Sequence, residues 1–199
     1  IVEAPDLWEK RLPKKFADMC PRLVETKDGI VWTAAHQMGG VPHYKASTHN
    51  VHADEQKKLR RQDIAELATP KGRREIQDRD EVAGEVLYST GDIWDMINAS
   101  GNDEFITACY SAYNDWLSEF CAADPQRFVG VAKIPTTGIK QAAGELNRAA
   151  ENLGLQGAIL DVWPGGLDSP PAMKECDSFW EAAAALKMPV SIYKALDGT

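Results

Sequence analysis

Histidine and cysteine are both scarce in this chain, and neither is spaced for a complete metal site. The four histidines, His36, His43, His49 and His52, all fall in one irregular stretch, and His49-x-x-His52 is the pair that one helical turn would bring to a common face. No cysteine or acidic pair accompanies them at ligand spacing, so solvated loop histidines fit the pattern as well as ligands do. The four cysteines, Cys20, Cys109, Cys121 and Cys176, are scattered, and two fall on helix faces. Buried reduced thiols and a cytoplasmic setting are therefore expected. Basic residues are outnumbered, 22 Lys+Arg against 30 Asp+Glu, and the net charge of −8 argues against a nucleic-acid surface. No apolar run approaches the roughly 18–20 residues of a membrane span, and no signal-peptide pattern opens the chain. A G-x-G-x-x-G fingerprint and a G-x-S-x-G elbow are both absent, and Pro164-Gly165-Gly166 lacks the Lys-Ser/Thr of a phosphate-binding loop.

What is present is a chain of 199 residues, a length that suits one domain, organised around its C-terminal third. FVGVAKIP (Phe128 to Pro135), GAILDVW (Gly157 to Trp163) and PVSIYKA (Pro189 to Ala195) are apolar almost throughout. Strands of that kind are buried on both faces, as parallel sheets require. Amphipathic stretches from Gly138 to Leu153 and from Cys176 to Lys187 lie between them. Two such crossovers joining three strands make a right-handed βαβαβ unit. The class is α/β, either a doubly wound sheet or part of a (β/α)8 barrel, and both place their chemistry at the carboxyl ends of the strands.

The remainder follows in order. Pro5-Asp6-Leu7-Trp8-Glu9 reads as a helix start, stopped by Pro13. Arg22 to Thr33 reads as a hairpin around Lys27-Asp28-Gly29. Residues 34–69 are poorly patterned, with a short helix expected from Asp54 to Glu66, so that 22–70 reads as an excursion outside the core. Lys71 to Asp80 is a charged surface segment, and Val82 to Thr90 is a further strand. Asp103 to Ala123 carries the clearest helical stripe, with Phe105, Cys109, Ala112, Tyr113, Trp116, Leu117, Phe120 and Cys121 on one face and Asn102-Asp103 as a cap.

Candidate functional residues sit at the strand ends: Ser89 and Thr90, Asp161 and Trp163, Tyr193 and Lys194. Asp161 lies inside an apolar run, where a carboxylate is costly unless it is paired or binds something. A structural carboxylate paired with a neighbouring element answers that description too. Tyr193-Lys194 offers an acid/base pair, or a tyrosine capping the core beside a lysine that reaches solvent.

Four stretches together carry a resemblance. PDLWEKRLPKKF (Pro5 to Phe16), DRDEVAGEVLYST (Asp78 to Thr90), YNDWLSEFCAADPQRFVGVAKIP (Tyr113 to Pro135) and FWEAAAALKMPVSIY (Phe179 to Tyr193) are similar to the amidohydrolase-related, metal-dependent TIM-barrel proteins, the family of aminocarboxymuconate-semialdehyde decarboxylase. The resemblance implies a (β/α)8 barrel, of which residues 1–199 would be the N-terminal part as a single incomplete domain. Such barrels usually take about 250 residues. It implies a divalent metal (zinc, manganese or iron) and hydrolysis or decarboxylation of a small carboxylated, often aromatic, substrate. It also implies a ligand strand ahead of Ile1, a late Asp ligand beyond Thr199, and an oligomer, homomeric or heteromeric. Within the chain, the resemblance assigns Glu3 to the metal's neighbourhood, while the strand-end positions assign Tyr193 and Asp161 to catalysis and Trp163, Ser89 and Lys194 to substrate. Tyr193 stands where the family carries a histidine ligand after a run like Pro189-Val190-Ser191-Ile192. That departure keeps open a non-catalytic homologue that partners an active subunit, beside the enzyme and an unrelated α/β binding domain.

Overall fold

The computed structural model describes residues 1–27, 29–36, 41–42, 61–89, 91–164 and 176–193. Helix α1 (Leu7–Arg11) opens the chain and buries Leu7 and Trp8. A small antiparallel sheet follows, β1 (Arg22–Thr26), β2 (Gly29–Thr33) and β3 (Val41–Pro42). The expected hairpin is thus present with a third strand added, and its Leu23, Ile30 and Trp32 are buried in the common core. Trp8 of α1 meets Trp32 edge-on at 5.3 Å between ring centroids, which fastens the small sheet to the rest.

Four strands make the principal sheet: β4 (Glu85–Leu87), β5 (Phe128–Lys133), β6 (Gly157–Leu160) and β7 (Val190–Ile192). They are parallel and lie side by side in chain order. Each is shorter than the apolar run that contains it. Helices α4 (Asp92–Asn98), α5 (Asp103–Ala122), α6 (Ile139–Glu151) and α7 (Asp177–Ala185) supply the crossovers. Helix α5 is capped as expected, the Asn102 side chain accepting from the Phe105 amide at 3.0 Å. Helix α6 ends before Gly154, whose φ of +65° suits the left-handed position that closes a helix.

Two further helices depart from the sequence pattern. Lys71 to Asp80, expected as a charged surface segment, lies in helix α3 (Pro70–Arg79), capped by Thr69 with Pro70 at its first position. It has almost no apolar stripe, and its buried residue is Gln77. Polar contacts hold it instead: Arg73 and Gln77 both engage Glu85 of β4, and Arg127 binds Asp78 at 2.5 Å. Of the helix expected from Asp54 to Glu66, the described part is α2 (Arg61–Leu67), and residues 51–60 lie outside the described set.

The two faces of the principal sheet differ. A side chain at Gly130 would run into Leu117, Cys121 and Leu155, so the alternating set Phe128, Gly130 and Ala132 faces the helices. Register carries that face across to Leu87, Ala158 and Leu160, all buried. The other face takes Val86 and Tyr88, Val129, Val131 and Lys133, then Ile159, then Ser191. It is open at its margins, with Val86 56% and Tyr88 40% exposed. The Tyr88 hydroxyl nevertheless lies 3.3 Å from Ser191 Oγ, joining the residues just after β4 to β7. In a flat sheet three strand spacings of about 4.8 Å would hold the outer strands roughly 14 Å apart. The sheet is therefore curled, concave on the face away from the helices. This is the wall of a (β/α)8 barrel over four of its strands, as the family resemblance implied.

No two of the four cysteines form a disulfide, and Cys20, Cys109 and Cys176 are buried. Burial pushes Cys20 and Cys121 up to about 11, which keeps both protonated and unreactive. Trp116 sits on the buried stripe of α5 between the rings of Tyr113 and Phe120. Trp116→Ala is expected to lower the unfolding free energy by about 3–5 kcal/mol. Urea denaturation followed by far-ultraviolet circular dichroism checks it, and a loss below about 1 kcal/mol would mean the stripe is not packed as described.

Candidate functional site

The concave face ends at the carboxyl ends of its strands in a charged cluster. Lys133, the last residue of β5, points to that face and its side chain is 3% exposed. Its Nζ forms an ion pair with Asp161 Oδ1, just past the end of β6. The indole of Trp94, from α4, lies beside the ammonium with 5.2 Å between Nζ and the ring centroid. Burial lowers the Lys133 pKa, and the charges of Asp161, Glu3 and Asp95 act against that shift. The other Asp161 oxygen, Oδ2, is 3.3 Å from the hydroxyl of Tyr110 on α5. That hydroxyl accepts from Asn98 Nδ2 at 3.1 Å and shares its proton between Asp161 and Asn98 Oδ1, the latter at 3.2 Å. Burial, then the Asp161 charge, raises the Tyr110 pKa well above its ordinary value, so the phenol stays a donor. In the same aromatic layer Trp94 Nε1 and Tyr113 Oη are buried with no hydrogen-bond partner among the described residues.

A second polar network holds this cluster from behind. Asn114, fully buried on α5, accepts from the Lys133 amide and donates to the Lys133 carbonyl, both at 2.8 Å. It also donates to Glu145 Oε1 of α6 at 2.6 Å. Glu145 in turn is held by Ser111 and Arg148, and Arg148 reaches Asp115 at 2.5 Å. Hydrogen bonds to Glu145 and Asp115 hold the Arg148 guanidinium firmly protonated. The chain thus ties α5, β5 and α6 together behind the Lys133 backbone.

The expected residues fall as follows. Asp161 is in the cluster. Glu3 is fully buried and close enough for its charge to act on Lys133 and on Tyr113. Tyr193 continues β7, its amide bonded to the Leu160 carbonyl at 2.7 Å, and its side chain is 63% exposed. Ser89 is half-buried beside Tyr88. Trp163 meets Trp180 of α7 edge-on at 6.4 Å, which turns it toward the helix layer. Lys194 and Thr90 lie outside the described residues, as do His43, His49 and His52. His36 is taken up structurally, its Nε2 2.9 Å from the Met96 carbonyl and its ring against Phe105. Lys133, Tyr110, Asn98 and Trp94 were not anticipated as site residues. A signal for Lys133 was there: it is a charge inside the apolar run FVGVAKIP, just as Asp161 is inside GAILDVW.

A divalent metal needs several converging ligands. Among the described residues no group of three or more His, Cys, Asp or Glu side chains comes together to hold one. The described cluster has the opposite chemistry at its centre, a buried ammonium. These residues alone do not fit a metal.

Comparison with known proteins bears on the same region. A family model described as Amidohydrolase matches residues 51–198. Gamma-resorcylate decarboxylase of a Polaromonas species is 33% identical over 84 residues, which are 40% of this chain and 26% of that protein. The crystal structure of 5-carboxyvanillate decarboxylase from Sphingomonas paucimobilis superposes with a TM-score of 0.52 at 26% identity, over 65% of this chain and 37% of that one. An amidohydrolase from Mycobacterium avium subsp. paratuberculosis, 16% identical, gives a TM-score of 0.68 over 96% of this chain and 56% of its own, and so bears on fold alone. The chain thus spans about a quarter of the curated relative it matches.

The ion pair makes a stability prediction of its own. Asp161→Leu leaves Lys133 buried without its carboxylate and is expected to cost about 3 kcal/mol, whereas the double replacement Lys133→Met with Asp161→Leu should cost less than Asp161→Leu alone. A urea double-mutant cycle decides it, and additive costs would show that the two side chains do not interact.

Proposed function

The chain belongs to the amidohydrolase family, and on that premise we propose that it forms part of a decarboxylase acting on a small aromatic carboxylic acid, with hydrolysis of a related acid as the neighbouring reaction type. The supporting observation is the placement of the Lys133–Asp161–Tyr110 cluster at the carboxyl ends of parallel strands, on the concave face of a barrel wall. Barrel enzymes carry their chemistry there. Gamma-resorcylate decarboxylase and 5-carboxyvanillate decarboxylase, the relatives above, are decarboxylases of aromatic carboxylates by name.

In this reading the substrate ring lies against the concave face, between Tyr88, Tyr193 and the charged cluster. Loss of carbon dioxide breaks the ring–carboxylate bond and leaves the electron pair on a ring carbon, which must receive a proton. Asp161 lies where a side chain can touch a substrate on that face, with Lys133 and Tyr110 behind it. Glu3 keeps the place near a metal that the resemblance gives it, and Ser89, Trp163, Tyr193 and Lys194 keep their strand-end assignments to the site. Family members employ a divalent metal as a Lewis acid, and zinc, manganese or iron would supply that chemistry. In the full-length protein, ligands additional to the described residues would have to hold it. Assembly into homo- or hetero-oligomers and a cytoplasmic location belong to the same reading. Among the described residues no helix is long and apolar enough to cross a membrane.

One observation favours a second reading, a catalytically inactive family member that supports an active subunit. It is the departure that the resemblance marks at Tyr193, a tyrosine where the family carries a histidine ligand. A single experiment separates the two. Full-length protein, purified with its metal content measured, is expected to release carbon dioxide from a hydroxylated benzoic acid, and Asp161→Ala to lower kcat by about 100-fold or more. Retention of full activity in the variant would remove Asp161 from the chemistry. A metal-free protein without activity, alone or with added zinc or manganese, would support the inactive subunit.

A further inference from the structure

Lys133 holds a proton in a place where holding it is costly. Its side chain is 3% exposed, the Trp94 indole covers its ammonium, and burial works against its charge. Asp161 stands between that ammonium and the concave face, with Oδ1 on Nζ and a side chain that is 24% exposed. Moving one proton from Nζ to Oδ1 turns two opposite charges in a partly dry site into two neutral groups. The move forfeits the attraction between the charges and recovers the desolvation cost of both, so the two forms lie closer in energy than in water. At rest the proton belongs to nitrogen, because the charges of Asp161, Glu3 and Asp95 all favour the ammonium. Tyr110 is a poor source by comparison. Burial and the Asp161 charge raise its pKa well above the ordinary value, and its hydroxyl is shared between Oδ2 and Asn98. With Oδ2 engaged in this way, Oδ1 is the oxygen that receives a proton from Lys133.

We propose that Lys133 is the proton source for the ring carbon and that Asp161 passes the proton on. The ring–carboxylate bond breaks, carbon dioxide leaves, and the electron pair stays on the ring carbon. The Lys133 ammonium gives one proton to Asp161 Oδ1, the new O–H turns from the amine toward the substrate, and the ring carbon takes the proton. Asp161 is then a carboxylate again and Lys133 a neutral amine. The amine regains its proton from water through Asp161 once the product has left. One solvent proton is consumed for each carbon dioxide released, as decarboxylation of a carboxylate requires. The inference rests on the reading of the site as a decarboxylase site, and it adds which group of this chain supplies the proton. A lysine whose charge is opposed by burial suits the task, since proton donation works best from a group whose pKa lies near the working pH.

Two substitutions separate the proton from the charge. Lys133→Met removes both, whereas Lys133→Arg keeps a positive charge on a group that does not give up its proton. With full-length protein and 2,6-dihydroxybenzoate or 5-carboxyvanillate as the probe, both variants are expected to lower kcat by about 100-fold or more. The Kd of the probe, from isothermal titration, should change by less than about threefold. In heavy water the unaltered protein should exchange the ring hydrogen that replaces the carboxylate in the product, and Lys133→Arg should lose that exchange together with kcat. Lys133→Ala is expected to regain turnover with added ethylamine and not with added guanidinium, a rescue that a structural role would not show. Should Lys133→Met fail to fold, Lys133→Arg and Asp161→Asn carry the test, the latter being isosteric and unable to pass the proton. A kcat for Lys133→Arg or Asp161→Asn within about threefold of the unaltered protein overturns the relay and leaves the proposed function standing. Failure of the unaltered protein to bind or decarboxylate either probe overturns both.

Discussion

The geometry of the site depends on one buried amide. Strand β4 pairs with β5 as far as Leu87 and Gly130, and beyond that point the β5 backbone has lost its neighbour on that side. Asn114 replaces it, taking the N–H and the C=O of Lys133 together. A buried peptide group without partners costs about 1–3 kcal/mol for each unsatisfied atom, so this substitution is what allows β5 to run on past its pairing. The same amide reaches Glu145, which fixes α6 to α5. Lys133 is consequently carried on a backbone gripped from two helices, and the direction of its side chain follows.

From that fixed point the charged cluster assembles outward. Bringing an ammonium into a dry interior costs several kcal/mol, which Asp161 at the margin and the charges of Glu3 and Asp95 only partly offset. The arrangement is therefore poor for stability and good for placement. Lys133 is covered by the Trp94 indole and anchors Asp161, while Tyr110 and Asn98 align the second oxygen. Of the ion pair, Asp161 is the more exposed side chain, 24% against 3% for Lys133. The curl of the sheet, recorded by the contact of Tyr88 with Ser191, turns that face into the inner wall of a barrel.

The legible parts of the fold were those with one-dimensional patterns. FVGVAKIP, GAILDVW and PVSIYKA read as parallel strands because both their faces are apolar, and α5 through its stripe from Phe105 to Phe120. Helix α3 escaped notice because it is held by Arg73, Gln77 and Arg127 contacts and shows almost no apolar period. Helix α4 is seven residues long, too short for a period to stand out, although Ile93, Trp94, Met96 and Ile97 are all buried. Of the site, Asp161 was visible as a charge in an apolar run. Its partners were not, since Lys133 is 28 residues away and Tyr110 51 residues away in sequence. Tyr110 also looks, on its helix, like one more apolar contact. The assignment of Glu3 came only from family resemblance, and its burial beside Lys133 is a property of the tertiary structure.

The most direct measurement of where a substrate sits is a crystal structure of the full-length protein with a hydroxylated aromatic acid bound. The ligand is expected at the carboxyl ends of β5 and β6, on the concave face, with one of its atoms within about 4 Å of the Asp161 side chain. A ligand bound on the helical side of the sheet, or one whose carboxylate displaces Asp161 from Lys133, would contradict it.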